Sequence, residues 1–203
     1  MESFAEVAAK AHRKLRKCEL LGPVVQEIGP CTLVPTSDVF PALVRAVLAQ
    51  LLSTAAARTI FKRLMLALQQ KLTPAKLLSL DDAVLHGCGI SGFKSQSLRE
   101  IAKLFKNTRG LGKQLLEADE QFVRDTLLPI KGIGPWTVDI VMMFAMGKPD
   151  VLPVGDLGIR AAARDLCQLP ELPTARQLTE LAQRWEPYRT VACWYLWRMR
   201  DPK

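Results

Sequence analysis

Phe40, Leu43, Val44, Val47, Leu48 and Leu51 fall at steps of 3, 1, 3, 1 and 3, the spacing that lines one face of an amphipathic helix. Ser37 or Asp38 opens that helix, and Pro41 is tolerated in its first turn. The same period returns along the chain. Ser53 caps a helix buried through Phe61, Leu64, Met65 and Leu68, while Thr73-Pro74 and Leu80-Asp81-Asp82 open two short ones. Ser91 begins a longer helix through Leu98, Ile101, Leu104 and Phe105, which Gly110 and Gly112 end. Further helices are expected over about 119–127, 135–146, 156–167, 174–184 and 188–199. No segment alternates as a half-buried strand does, so the pattern predicts an all-α fold.

A chain of 203 residues, 49% of them hydrophobic, has enough apolar surface for one or two modest cores. Its longest uninterrupted apolar run, Ile140 to Met146, is far short of the ~20 residues needed to cross a bilayer. The N-terminal stretch has no apolar core of a signal peptide, and an intracellular protein with no membrane partner is expected. The five cysteines are separated by 13, 57, 79 and 26 residues, spacings unlike those that clamp zinc or an iron–sulfur cluster. With 28 Lys+Arg against 20 Asp+Glu, the formal charge of +8 attracts polyanions, nucleic acid above all. The cluster Lys10, Arg13, Lys14, Arg16 and Lys17 reads as a solvated helix face rather than a dedicated DNA contact.

Between two predicted helices the sequence reads Leu128-Pro-Ile-Lys-Gly-Ile-Gly-Pro-Trp-Thr137. Gly132 and Gly134 allow positive φ and let a ligand approach bare amides, and Ile133 anchors the turn. The amides that open the next helix face outward, where its dipole favours an anion such as phosphate. The whole string resembles the helix-hairpin-helix motif, which grips a DNA backbone without reading sequence. That resemblance implies DNA contacts from Gly132, Gly134, Thr137 and Lys131, and a monovalent cation (Na⁺ or K⁺) held by the carbonyls of Leu128, Ile130 and Ile133.

Asp156, in Val154-Gly155-Asp156-Leu157-Gly158, has two readings: a helix cap, which aspartate does well, and a catalytic carboxylate. A helix over 135–146 carries the chain roughly 18 Å at ~1.5 Å per residue. The ten residues 147–156 can span up to ~33 Å, enough to return beside the hairpin. Hairpin, proline-containing loop and Gly-Asp helix start together resemble the helix-hairpin-helix superfamily of DNA base-excision glycosylases. There this aspartate stabilises the positive charge that builds on the sugar as an N-glycosidic bond breaks, and orients or deprotonates the attacking water.

Members of that family that also cut the strand carry a lysine nucleophile where this chain has Trp136. Members with an iron–sulfur cluster carry four closely spaced cysteines near the C-terminus, where this chain has Cys167 and Cys193 alone. The resemblance therefore implies a monofunctional enzyme that requires no cofactor and has no cluster. Leu43-Val-Arg-Ala-Val-Leu-Ala-Gln-Leu-Leu-Ser53, Gly89-Ile-Ser-Gly-Phe-Lys94 and Arg189-Thr-Val-Ala192 followed by Trp197 resemble helices and a turn of the 3-methyladenine DNA glycosylase II (alkylpurine) branch. Leu51 replaces a usual glutamine, Ile140 stands where some relatives have a pocket tyrosine, and no counterpart of the N-terminal β domain of some members is expected.

By that resemblance the chain is a single catalytic unit over 1–203 made of two helical lobes, about 38–112 and about 1–37 with 113–203, with the active site in the cleft between them. Trp136, Trp197 and Ile140 line the base pocket, where indoles suit a positively charged alkylated purine. A tryptophan on an amphipathic helix is also an ordinary core residue, and that alternative stands. Gln50, Ser53, Ser91, Gly92 and Lys94 join the DNA contacts, with the Ile90-Ser91-Gly92 turn entering the helix and Gln50 and Leu51 next in line for that role. The expected activity is hydrolytic excision of 3-methyladenine or 7-methylguanine type bases from duplex DNA by a monomer. The rival from another class is a non-catalytic helix-hairpin-helix DNA-binding module.

Overall fold

The computed structural model describes residues 2–200, and these form α-helices, one 3₁₀ turn and loops with no strand among them. The helices are α1 Phe4–Leu15, α2 Gly22–Ile28, α3 Val39–Ala49, α4 Thr54–Ala67, α5 Pro74–Ser79, α6 Asp82–Gly87 and α7 Gly92–Asn107. They continue with α8 Leu111–Glu117, α9 Glu120–Leu127, α10 Pro135–Phe144, α11 Leu157–Cys167, α12 Ala175–Ala182, the 3₁₀ turn Gln183–Trp185 and α13 Arg189–Arg200. No helix is long and apolar enough to cross a membrane among the described residues.

Two compact units divide the chain, one of residues 36–141 and one of residues 1–35 with 142–203. The sequence expectation put residues 113–141 with the chain ends, whereas here they group with 36–112. The reason is packing: α8 lies on α3 and buries Leu111 and Leu115. Within this unit α7 is central, touching α3, α5 and α6, and Leu98, Ile101 and Ala102 on its buried face follow the predicted period.

Gly110 and Gly112 do not both end a helix. Gly110, at φ 74°, is the N-cap of α8, and Gly112 sits inside that helix. Polar side chains start the helices where expected: Ser53, Thr73, Asp81, Ser91 and Asp119 each accept an amide of the first turn. Each such cap contributes on the order of 1 kcal/mol.

In the other unit α13 is the organiser, packed on α1, α2 and α11. Seven consecutive residues from Thr190 to Leu196 are buried. The Tyr195 hydroxyl donates to the Gly29 carbonyl at 2.8 Å and lies 2.9 Å from His12 Nδ1, which ties α1 and the end of α2 to α13. Burial pushes that phenol up to about 12, so it stays a hydrogen-bond donor.

Candidate active site

The loop from Gly147 to Gly155 delivers Asp156 to the start of α11, and the opening of α13 fixes that loop. Gly147 must lack a side chain, because at φ 66° a Cβ would lie 2.8 Å from the Pro35 ring. Arg189 grips Asp150 in a fork, Nε to Oδ1 at 2.9 Å and Nη2 to Oδ2 at 2.8 Å, and its amide adds a third bond to Oδ1 at 3.0 Å. Thr190, fully buried, donates to the Lys148 carbonyl at 2.6 Å and accepts the Val151 amide at 3.0 Å. The sequence matched Arg189-Thr190 to a family pattern without its role; the structure shows it bracing the loop that ends in Asp156.

Asp156 is buried to 9% exposure. Its Oδ1 accepts the Ile159 amide at 2.8 Å, so the cap reading holds, and accepts the Trp197 indole N–H at 3.1 Å. Asp156 and Trp197 are thus brought together, with Phe144 tilted against the Trp197 ring at 5.6 Å between centroids. Gly158 makes this approach possible: a Cβ there would stand 3.1 Å from Asp156 Oδ1 and 3.3 Å from the indole.

The hairpin belongs to the unit of residues 36–141. Of the two glycines that allow positive φ only Gly132 adopts it, at 86°. A side chain at Gly132 would fall on the Ser97 hydroxyl and crowd the Phe93 ring, whereas nothing lies within 4 Å of where a Cβ of Gly134 would be. Gly132 is therefore needed for packing against α7, and Gly134 leaves open space at the mouth of α10. Ile133 is buried, as an anchor should be, and its amide closes the turn onto the Ile130 carbonyl at 3.0 Å. Lys131 is exposed; Trp136 and Ile140 on α10 are half-buried.

Three predicted DNA contacts have internal duties. Thr137 is 1% exposed, and its hydroxyl accepts from Gln50 Nε2 at 2.9 Å, while the same amide donates to the Gly132 carbonyl at 2.9 Å. Gln50 and Thr137 accordingly hold the hairpin's shape. Lys94 Nζ donates to the carbonyls of Leu48 and Gln50, each at 2.9 Å, capping the end of α3; its burial lowers its pKa. Ser53, Ser91 and Gly92 remain exposed, the two serines as helix caps.

Ile90 is 1% exposed and anchors its turn in the core, so the exposed tip of that turn is Ser91 and Gly92 alone. Leu51 is the opposite case. It is fully exposed, at 102%, and sits at φ 58°. The Leu52 amide bonds the Ala49 carbonyl at 3.1 Å, and Gln50 has φ −52° and ψ 126°. This is a type II turn with leucine at the position that glycine or asparagine normally takes.

A neighbouring pair on α10 and α9 is structural. Asp139, nearly buried, meets Arg124 at 2.7 Å, and Arg124 also reaches Glu120 at 2.6 Å. Burial outweighs the arginine and lifts the Asp139 carboxyl to about 6.

Comparison with known proteins agrees with these features. Residues 44–187 match the model of the HhH-GPD superfamily base excision DNA repair protein. The chain is 36% identical over 181 residues to DNA-3-methyladenine glycosylase 1 of Schizosaccharomyces pombe, covering 86% of this chain and 78% of that protein. It is 31% identical over 182 residues to the alkylbase DNA glycosidase-like protein mag2 of the same yeast, covering 87% and 85%. Among solved structures it resembles the S. pombe 3-methyladenine DNA glycosylase in complex with abasic DNA, with a TM-score of 0.86, 31% identity and coverage of 93% and 95%. On the match over 44–187 and this likeness along most of its length, the chain belongs to the HhH-GPD superfamily of base excision DNA repair proteins.

Proposed function

We propose that this chain is a monofunctional DNA glycosylase that flips alkylated purines of the 3-methyladenine and 7-methylguanine type out of duplex DNA. It hydrolyses their N-glycosidic bond and leaves an abasic site, acting as an intracellular monomer. The observation that carries this reading is Asp156, a carboxylate held in one orientation by the Ile159 amide and the Trp197 indole. A fixed anion stabilises the oxocarbenium-like sugar more as its charge develops, and can orient the attacking water. Alkylated purines already carry positive charge and leave readily, so one anion, stacking and extrusion suffice. Half-buried Trp197, beside Asp156, supplies a stacking surface.

The hairpin supplies the grip on the backbone through the amides of Gly132 and Gly134 with Lys131 nearby. The carbonyls of Leu128, Ile130 and Ile133 are neutral hard oxygens, a donor set that suits Na⁺ or K⁺; such an ion would add positive charge facing a phosphate. Leu51 is the wedge: a large apolar side chain offered wholly to solvent from a strained turn fills the gap that a flipped base leaves.

The test is incubation of the pure protein with duplex DNA carrying alkylated purines, with abasic sites counted after alkali. Strands should stay intact until alkali is added, and borohydride should trap no adduct, since Trp136 cannot form a Schiff base. Asp156→Asn should lose nearly all base release, a hundredfold or more, while still binding duplex. Absence of base release by the unmodified protein would return the chain to a non-catalytic DNA-binding module.

A further inference from the structure

Lys10, Arg13, Lys14 and Lys17 stand at steps of three, one and three, which puts all four on one side of α1 and its C-terminal extension. The other side, with Ala8, Ala11 and Leu15, is buried. Arg184, from the 3₁₀ turn far along the chain, comes to the same place, and together with Cys18 and Glu19 these residues line a groove of about 760 Å³. A helix face that is merely solvated needs neither a concavity nor a cation recruited from another segment.

Five cations face one carboxylate on this lining. Glu2 takes up Lys10 at 2.7 Å, and the Lys14 ammonium donates to the Glu186 carbonyl, tying the 3₁₀ turn to α1. Glu6, beyond the rim near Arg13, is engaged by Ser3. Among the described residues, Arg13, Lys17 and Arg184 have no carboxylate within ion-pair distance. Lys10 with Lys14 and Arg13 with Lys17 are like-charged neighbours four residues apart, an unfavourable arrangement. A polyanion lying in the groove reverses that cost.

We propose that this groove is a second phosphate-binding surface, separate from the hairpin, that clamps a sugar–phosphate strand of DNA without reading bases. The proposal rests on the reading of the chain as a DNA-binding enzyme. From residue 10 to residue 17 the stripe extends roughly 10 Å at 1.5 Å per residue. One DNA strand presents a phosphate every ~3.4 Å of axis, so the groove faces about three phosphates.

The experiment is a salt titration of undamaged duplex binding by the whole chain, by an Arg13→Gln/Lys17→Gln/Arg184→Gln triple variant and by Gly134→Asp. All three groove positions are exposed, so thermal melting of the triple variant should match the parent. Three lost phosphate contacts should flatten the slope of log K against log salt by about 2.7, equivalent to a loss of roughly 500-fold at 0.1 M salt relative to 1 M. A triple variant that keeps the parental slope, while Gly134→Asp weakens binding, overturns the groove and leaves the hairpin reading intact. Failure of the unmodified chain to bind any duplex would sink both.

Discussion

Leu51 offers a perturbation whose effects on stability and on binding run in opposite directions. At φ 58° a leucine is strained by roughly 1–2 kcal/mol, and at 102% exposure its side chain gains nothing from the folded core. Leu51→Gly removes that strain and adds about 0.5–1 kcal/mol of chain entropy cost, so the free protein should be as stable as the parent or up to about 1.5 kcal/mol more stable. On DNA the same change deletes the plug. Burying a leucine side chain contributes about 1.5–3 kcal/mol, so affinity for abasic-site duplex should fall roughly 10- to 100-fold at 1.4 kcal/mol per decade.

Fluorescence anisotropy with abasic and intact duplexes, beside urea melts of the free protein, measures both quantities. Intact duplex, which offers no gap, should lose little. An abasic-site affinity equal to the parent's would refute the wedge assignment, and a destabilised variant would show that Leu51 has packing duties that its exposure does not reveal. Leu51→Met, which keeps apolar bulk, should restore most of the binding and little of the stability gain.

Gly158→Ala should leave the fold intact but push Asp156 and Trp197 apart by a few tenths of an ångström, since its Cβ would stand 3.1 and 3.3 Å from them. Single-turnover base release should fall several-fold to about tenfold, with duplex affinity unchanged. Thr190→Val keeps the shape but removes the hydroxyl that accepts the buried Val151 amide, at about 1–3 kcal/mol for the unsatisfied group; a lower melting temperature with slower base release is expected, and unchanged stability would argue against the brace. Asp139 has its carboxyl raised to about 6 by burial against an ordinary 3.8, so its contribution is fully present below pH 4 and lost as pH rises through 6. Urea melts from pH 4 to 7 should show the parent losing roughly 2–3 kcal/mol relative to Asp139→Asn, and parallel curves would mean that Arg124 offsets the burial in full.

What the sequence made legible was local. The period through Leu43, Val44, Val47 and Leu48 marks α3 because one buried face leaves its trace every three or four residues, and Asp156 is visible as a helix start because capping chemistry is short-range. What stayed hidden depends on residues far apart in the chain. Gln50 looked like a groove contact because nothing nearby shows that its amide reaches the Gly132 carbonyl and Thr137. Ile90 and Leu51 are both apolar residues in turns, and only tertiary burial separates them. The helix α8 was missed for the reverse reason: Gly110 and Gly112 look like a stop, yet a left-handed glycine serves equally as a start.

The supports of Asp156 converge on one helix. Arg189 and Thr190 at the start of α13 hold the loop that leads to the aspartate, and Trp197, eight residues on, holds its carboxylate. At 1.5 Å per residue these two points stand roughly 12 Å apart along the axis, so a tilt of α13 would move the loop and the indole together. Tyr195, between them, pins the helix to the Gly29 carbonyl and to His12 on α1. A cap bond to Ile159 alone would fix the aspartate only relative to α11. The bond from Trp197 fixes it relative to the buried core of its unit. That is the rigidity a charge must have if it is to stabilise a transition state without reorganising as the reaction proceeds.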